Sequence, residues 1–398
     1  MNDQIVFQQK PKHYNLEIVV FSAIRMLVHT PMRMVYPFLV FFGRGLGVDL
    51  TTISMAVTIR NFTGIIIPLI TSVFDQRSRR SGMLTGMGVF VLGCVVVIFW
   101  PTYAGFVLAL CLTFIGMNVF IAAMQAYQSD TIPLNYRGYA IVITSTGWAL
   151  SFIVAVPLLG FLISKFGWLS PFPTMGILGI ITFIGLIFLI PKGKKVLHQQ
   201  TEKVQHGMKQ VFTSSSAIAG VLMVFFFCAA HEIVNLVFGV WMEDKFLLSI
   251  NGLGAASIVI GVSELLSVVA VNWLLVRVGA KKTVGIGLIG AAFSAVSITL
   301  LGSSGLWGAE VGLFLFNLTF QSSLIAYVPL LTDVLPRARA ALLGATFAAV
   351  GLGRMLGALA APYVYETGFL YNTLISMVLF FIALFALSKV KNPTEATI

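Results

Sequence analysis

Between Leu16 and Phe42 the chain is apolar for long enough to cross a bilayer, yet Arg25, His29 and Arg33 are set into it at four-residue spacing. At about 1.5 Å of rise per residue the run exceeds the roughly 30 Å hydrocarbon layer, so both arginines lie within it. Four-residue steps keep the three side chains on one side of a helix. An arginine at mid-bilayer costs about 2.5–3.5 kcal/mol on insertion scales, so this stripe has to face protein, water or a ligand. Pro31 and Pro37 each remove a backbone donor within the same run. Inside a membrane that loss is tolerated where neighbouring helices or a cavity satisfy the freed carbonyls.

The pattern repeats. Apolar stretches occur at about 16–42, 51–74, 83–101, 104–127, 138–163, 171–190, 213–238, 252–275, 283–302, 306–330, 340–364 and 369–388. Charged residues make up 10% of the 398 residues, against about 25% in soluble domains, so an all-α membrane protein of twelve spans is expected. With alternating spans, 18 of the 25 Lys and Arg fall on one side, three (Arg44, Lys165, Lys245) on the other, and four (Arg25, Arg33, Arg60, Arg354) inside spans. The positive-inside rule then places both termini in the cytoplasm of a multi-pass cell inner membrane protein.

The net charge of +11 comes from short scattered loops, which argues against nucleic acid. Cys94, Cys111 and Cys228 lie in apolar runs without CxxC or His spacing, so neither a disulfide framework nor a metal site is indicated. No GxxxxGK[ST], HExxH or GxSxG motif occurs. An enzyme, a nucleotide-driven pump and a cofactor are therefore not expected. No signal peptide is apparent, since the first fifteen residues are polar.

A polar segment, PKGKKVLHQQTEKVQHGMKQ, begins at Pro191 near the middle of the chain. It divides an N-terminal six-helix bundle (1–190) from a C-terminal one (213–398), with residues 191–212 as a cytoplasmic linker holding a solvated or interfacial helix. The halves read as repeats. AYQSDTIPLNYRGYA after span 4 matches AYVPLLTDVLPRARA after span 10, TSVFDQRSRR after span 2 matches NWLLVRVGAKK after span 8, AVPLLG matches AAPYVY, and His29 matches His231. A near-constant offset implies two pseudo-symmetric bundles related by an axis along the membrane normal.

The loop after span 2 resembles the signature of the major facilitator superfamily, Gly-x-x-x-Asp-Arg-x-Gly-Arg-Lys/Arg. Asp75, Arg79 and Arg80 match its acid and basic pair, while Thr71, Gln76 and Ser78 depart from its Gly, Arg and Gly. The second copy keeps Arg277, Gly279, Lys281 and Lys282 but has Val276 in place of the acid. DTIPLNYRG and DVLPRAR look like the superfamily's second cytoplasmic signature, and VYPFLVFFGRGLGV is similar to a bacterial branch of uncertain substrate, grouped with efflux proteins. The resemblance implies two bundles rocking about a midplane cavity. It also implies a cytoplasmic gate of exchangeable ion pairs, here Asp75, Arg79, Arg80, Asp130, Arg137, Arg277, Lys281, Asp333 and Arg339.

Polar groups inside the spans supply the chemistry. Arg60 and Asn61 lie in span 2, His231, Glu232 and Asn235 in span 7, Glu264 in span 8, Asn317 and Gln321 in span 10, and Arg354 in span 11. With histidine neutral, four cations face two acids, an excess that an anionic substrate would offset. Arg25, His29, Arg33, Arg60, Asn61, Trp148, Asn235 and Gln321 are the expected substrate-binding residues, with Arg25 and Arg33 as bidentate donors. Trp148 lies among Thr144, Ser145, Thr146 and Ser151, a polar cluster expected to form a cavity wall. Tyr36, Met117, Phe226 and Trp241 either line an amphiphile pocket or serve, as most such residues do, in packing or the interfacial belt. Glu264, Glu232 and Arg354 are the expected proton-coupling set, although Arg354 paired with Glu264 would serve equally well to tie helices together. The expected function is secondary active transport by alternating access, as proton-coupled efflux of an anionic or amphiphilic small molecule by a monomer in the lipid bilayer. A lipid or lysolipid flippase, and a non-transporting receptor or scaffold, are the alternatives.

Overall fold

The computed structural model describes residues 12–75, 78–191, 201–336 and 338–391, with side chains over 16–67, 78–191, 207–336 and 338–391. All regular structure among these residues is helical. Among the described residues, twelve helices are long and apolar enough to cross a membrane: Leu16–Leu46, Leu50–Ile67, Arg79–Phe99, Tyr103–Thr131, Leu134–Phe166, Pro171–Leu189, Ser215–Phe246, Ile250–Val278, Ala280–Gly302, Leu306–Val334, Arg339–Tyr365 and Phe369–Lys389. They are spans 1 to 12. Span 2 continues as helix to Asp75, and a further helix, Thr201–Thr213, lies in the linker.

Local chemistry sets several starts. Ser78, Thr102, Ser214 and Ser249 stand in extended conformation before spans 3, 4, 7 and 8, and each side chain accepts from a backbone N–H three residues on. An N-cap of this kind contributes about 1 kcal/mol. The largest departure from the sequence boundaries is in span 7, which runs to Phe246 rather than 238. Its polar last turn is drawn into helix because Glu243 and Asp244 have partners there, Arg44 and Tyr365.

The spans that line the centre are irregular. In span 1 Pro37 is followed by Phe38 at φ −105°, ψ 15°, which kinks the helix. Span 7 breaks in the same way at Val237, with φ −105° and ψ 0°. In span 5 residues Ser151–Ala155 form a π turn. Pro157 has no N–H to offer the Ile153 carbonyl, and the Val156 N–H bonds Ser151 instead, so the wider turn follows from the proline.

Spans 1 to 6 pack on one another, as do spans 7 to 12, and the two bundles meet along spans 1, 2 and 5 against 7, 8 and 11. Glycines permit this meeting where backbones approach. A Cβ on Gly239 of span 7 would lie 2.7 Å from the Tyr36 carbonyl oxygen and 2.8 Å from the Pro37 Cα, at the kink of span 1. On Gly261 of span 8 it would lie 2.7 Å from the Ala149 carbonyl oxygen of span 5. The bundles therefore touch from mid-depth to the end carrying residues 47–49, termed here the distal end. Arg44 and Glu243 close that end with a contact of 2.6 Å between the halves. The linker helix rests on the start of span 11, where a Cβ on Gly207 would meet that of Ala341.

Candidate functional site

Arg33 and Glu264 lie at mid-depth in spans 1 and 8. The Arg33 Nη1 and Nη2 groups donate to Glu264 Oε2 and Oε1 at 2.9 and 2.8 Å, a bidentate pair that joins the two bundles. Both side chains are buried, Arg33 to 1% exposure. The guanidinium is also stacked, its central carbon 3.7 Å from the Trp148 ring centre and 4.2 Å from that of Phe152. Four residues apart across the π turn, these two rings share a face of span 5. A buried pair held this way is specific in geometry, and removing one partner leaves a charge without solvation.

One helical turn along, a second cluster crosses between the halves. Tyr36 donates its hydroxyl to Glu232 Oε1 at 2.9 Å, and Asn61 Nδ2 reaches the same oxygen at 3.3 Å. Arg60 supports both, donating to the Tyr36 hydroxyl at 3.0 Å, to Asn61 Oδ1 at 2.9 Å and to the Met32 carbonyl at 3.2 Å. Arg60 and Glu232 are fully buried. Glu232 Oε2 has no hydrogen-bond partner among the described residues.

These clusters border a narrow central cavity lined by Met32, Arg33, Tyr36, Trp148, Phe152, His231, Asn235, Glu264, Asn317, Phe320, Gln321 and Arg354. His231 donates from Nε2 to Asn317 Oδ1 at 3.2 Å, and its ring stacks on Phe320 at 3.6 Å. Of the residues expected to bind substrate, Arg33, Trp148, Asn235 and Gln321 reach the cavity. Arg25, His29, Arg60 and Asn61 do not. Arg25 donates to Ser145 Oγ at 3.3 Å, and His29 donates from Nδ1 to the Arg25 carbonyl at 2.6 Å with its ring edge-on to Trp148.

Several expectations change. Glu264 is paired with Arg33, not Arg354. The first-half arginines are not a free pool of charge, since Arg33 is ion-paired and Arg60 is enclosed by acceptors. The hydroxyls around Trp148 stitch helices together rather than forming a cavity wall. Thr144 accepts from Gln128 at 2.8 Å, Thr146 meets Ser22 at 3.2 Å, and Ser151 donates to the Trp148 carbonyl. Tyr36, read as a pocket or packing residue, lines the cavity and bridges Arg60 and Glu232, and Phe152 and Phe320 went unmarked. The four-residue step from Met32 to Tyr36 on the arginine face was the available signal.

At the end carrying the termini, the described side-chain contacts of the residues expected to form a gate stay within their own halves. Arg79 Nε donates to Asp130 Oδ2 at 2.9 Å, Arg80 to the Ile187 carbonyl at 2.7 Å, and Arg339 to the Thr332 carbonyl at 3.1 Å. Arg277 lies over Trp273 of its own helix at 4.2 Å. Asp333 is exposed, Arg137 and Lys281 are partly buried, and the Asp75 side chain lies outside the described residues.

A family model described as Major Facilitator Superfamily matches residues 21–358. The uncharacterized MFS-type transporter YceJ of Bacillus subtilis is 23% identical over 301 residues, covering 74% of this chain and 75% of that protein. The inner membrane transport protein YdhP of Escherichia coli is 29% identical over 126 residues, 32% of each chain. A bacterial homolog of the human lysosomal transporter Spinster, solved in an inward-facing and unoccupied conformation, has the same fold, with a TM-score of 0.73 at 14% identity over 96% of this chain and 98% of that one.

Proposed function

The chain belongs to the major facilitator superfamily, a family of membrane carriers, and we propose that it performs proton-coupled efflux of an anionic or amphiphilic small molecule by alternating access. The observation that carries this reading is the Arg33–Glu264 pair, a bidentate bond between the two bundles at the wall of the central cavity. Rocking of one bundle against the other has to break or rearrange it. Once separated from the guanidinium, the Glu264 carboxylate faces a low-dielectric cavity, where a proton replaces the lost cation. Proton uptake and bundle motion are thereby linked at one residue, and Glu232, held by Tyr36 and Asn61, is the second such carboxylate.

The conformation supports an open end on the side of the termini. The distal end is closed by Arg44–Glu243 and the Gly239 contact, while the described bonds of Arg79, Arg80 and Arg339 stay within one half. With the termini in the cytoplasm, as the loop charges favour, this is an inward-facing arrangement, and the two halves correspond to residues 1–190 and 213–398 about the linker 191–212.

Proteoliposomes with an imposed pH gradient test the coupling. Glu264→Gln should leave substrate exchange intact and remove gradient-driven accumulation. Full accumulation in that variant would move the proton site to Glu232 or away from the cavity.

A further inference from the structure

Every described hydrogen bond between charged or polar side chains that joins the two bundles runs in one direction. The donors belong to the first half (Arg33, Tyr36, Arg44, Asn61) and the acceptors are carboxylates of the second, Glu232, Glu243 and Glu264. Arg354 is the exception in sign: a cation of the second half at the same depth. The first half has no carboxylate to offer it, because its acids are Asp3, Glu17, Asp49, Asp75 and Asp130, all near the ends of spans or outside them. Glu264 is taken by Arg33, and Glu232, although its charge acts on Arg354, is bonded to Tyr36 and makes no direct ion pair with Arg354 among the described contacts. The Arg354 Nε has no hydrogen-bond partner among the described residues, and the groups that act on the guanidinium are Tyr36 of the first half and Glu232 and Cys228 of its own half.

Two further polar side chains on the cavity are without hydrogen bonds among the described residues, Asn235 and Gln321. We propose that the anionic group of the substrate is bound by the second half, on Arg354 with the amides of Asn235 and Gln321, and that Arg33 stays with Glu264 while it binds. The site has the chemistry for a single carboxylate or phosphate monoester: one guanidinium supplying parallel donors and two neutral amides for the remaining lone pairs. The stacked rings of Phe320 and His231 form an apolar wall beside it for the rest of an amphiphile. This assignment rests on the anionic-substrate reading and places its charge in the half opposite to Arg33.

The purified full-length protein is titrated with the fluorescent probe dansyl-undecanoic acid and with its neutral primary amide. Wild type should bind the acid about ten- to a hundredfold more tightly, the range for a charge-assisted hydrogen-bonded contact. Arg354→Gln should abolish that preference and Arg354→Lys retain part of it, while Arg25→Gln, a first-half cation off the cavity, keeps it. Gln321→Glu reads the same site without deleting the cation. The added carboxylate should occupy Arg354 and remove the preference. If the preference survives in Arg354→Gln or Gln321→Glu, or is lost in Arg25→Gln, the second-half site is wrong and the anionic-substrate reading stands. If wild type does not distinguish acid from amide, that reading itself fails.

Discussion

Two carboxylates decide the chemistry at residue scale, and their surroundings set different roles. Glu264 faces a full guanidinium, whereas Glu232 is held by a phenol and an amide. Loss of one member of a buried pair costs about 3–5 kcal/mol, but joint replacement by apolar residues of similar volume is often neutral. Arg33→Met and Glu264→Leu should therefore each lower the melting temperature in detergent sharply, and the double variant should recover most of it. Independent, additive losses in the double variant would show that the pair is not a unit. Tyr36→Phe removes one donor to Glu232 and one acceptor for Arg60, for an expected cost of about 1–3 kcal/mol by thermal unfolding.

At the scale of elements, the irregular turns are where the bundles meet. Gly239 packs against the kink after Pro37, so even a methyl group would lie inside contact distance of the Tyr36 carbonyl. Gly239→Val should keep the distal end from closing, read as increased labelling of a cysteine placed at Leu247 and loss of transport with folding retained. The spans themselves were legible in the sequence because twenty apolar residues in a row have few other ways to satisfy their backbone. The π turn of span 5 was not read from the sequence, where Pro157 entered only through the match of AVPLLG with AAPYVY, although that proline is what produces the wider turn. The partner of Glu264 was not legible. Arg33 and Arg354 lie at similar depth in different helices, and composition cannot tell which rotates toward span 8. Span 7 was read short at its distal end for a related reason. Its last turn is polar and becomes helix through Arg44, a residue distant in sequence and opposite in space.

At the scale of the whole molecule, closure at the distal end is spread over backbone packing and one ion pair. Arg44 has 61% of its side chain exposed, and such a pair contributes about 0–1 kcal/mol, so Arg44→Ala should slow transport only slightly. A short cleavable bismaleimide bridge between cysteines at positions 44 and 243 should instead stop it, and cleavage of the bridge should restore it. Continued transport with the bridge intact would mean that this end does not open during the cycle.

The one-way direction of the bonds between the halves has a consequence for assembly. A protein built from two similar units risks joining a unit to its own kind, within a chain or between neighbouring chains. Two first halves placed face to face would oppose Arg33 to arginine with no acid at that depth, and two second halves would oppose Glu232 and Glu264 to carboxylates. Either mismatch sets like charges together in a low-dielectric seam. Co-expressed as separate, differently tagged pieces cut within the linker, the first half should capture the second and not itself. The arrangement of charge thus works as an address that makes the pairing of unlike halves the stable one.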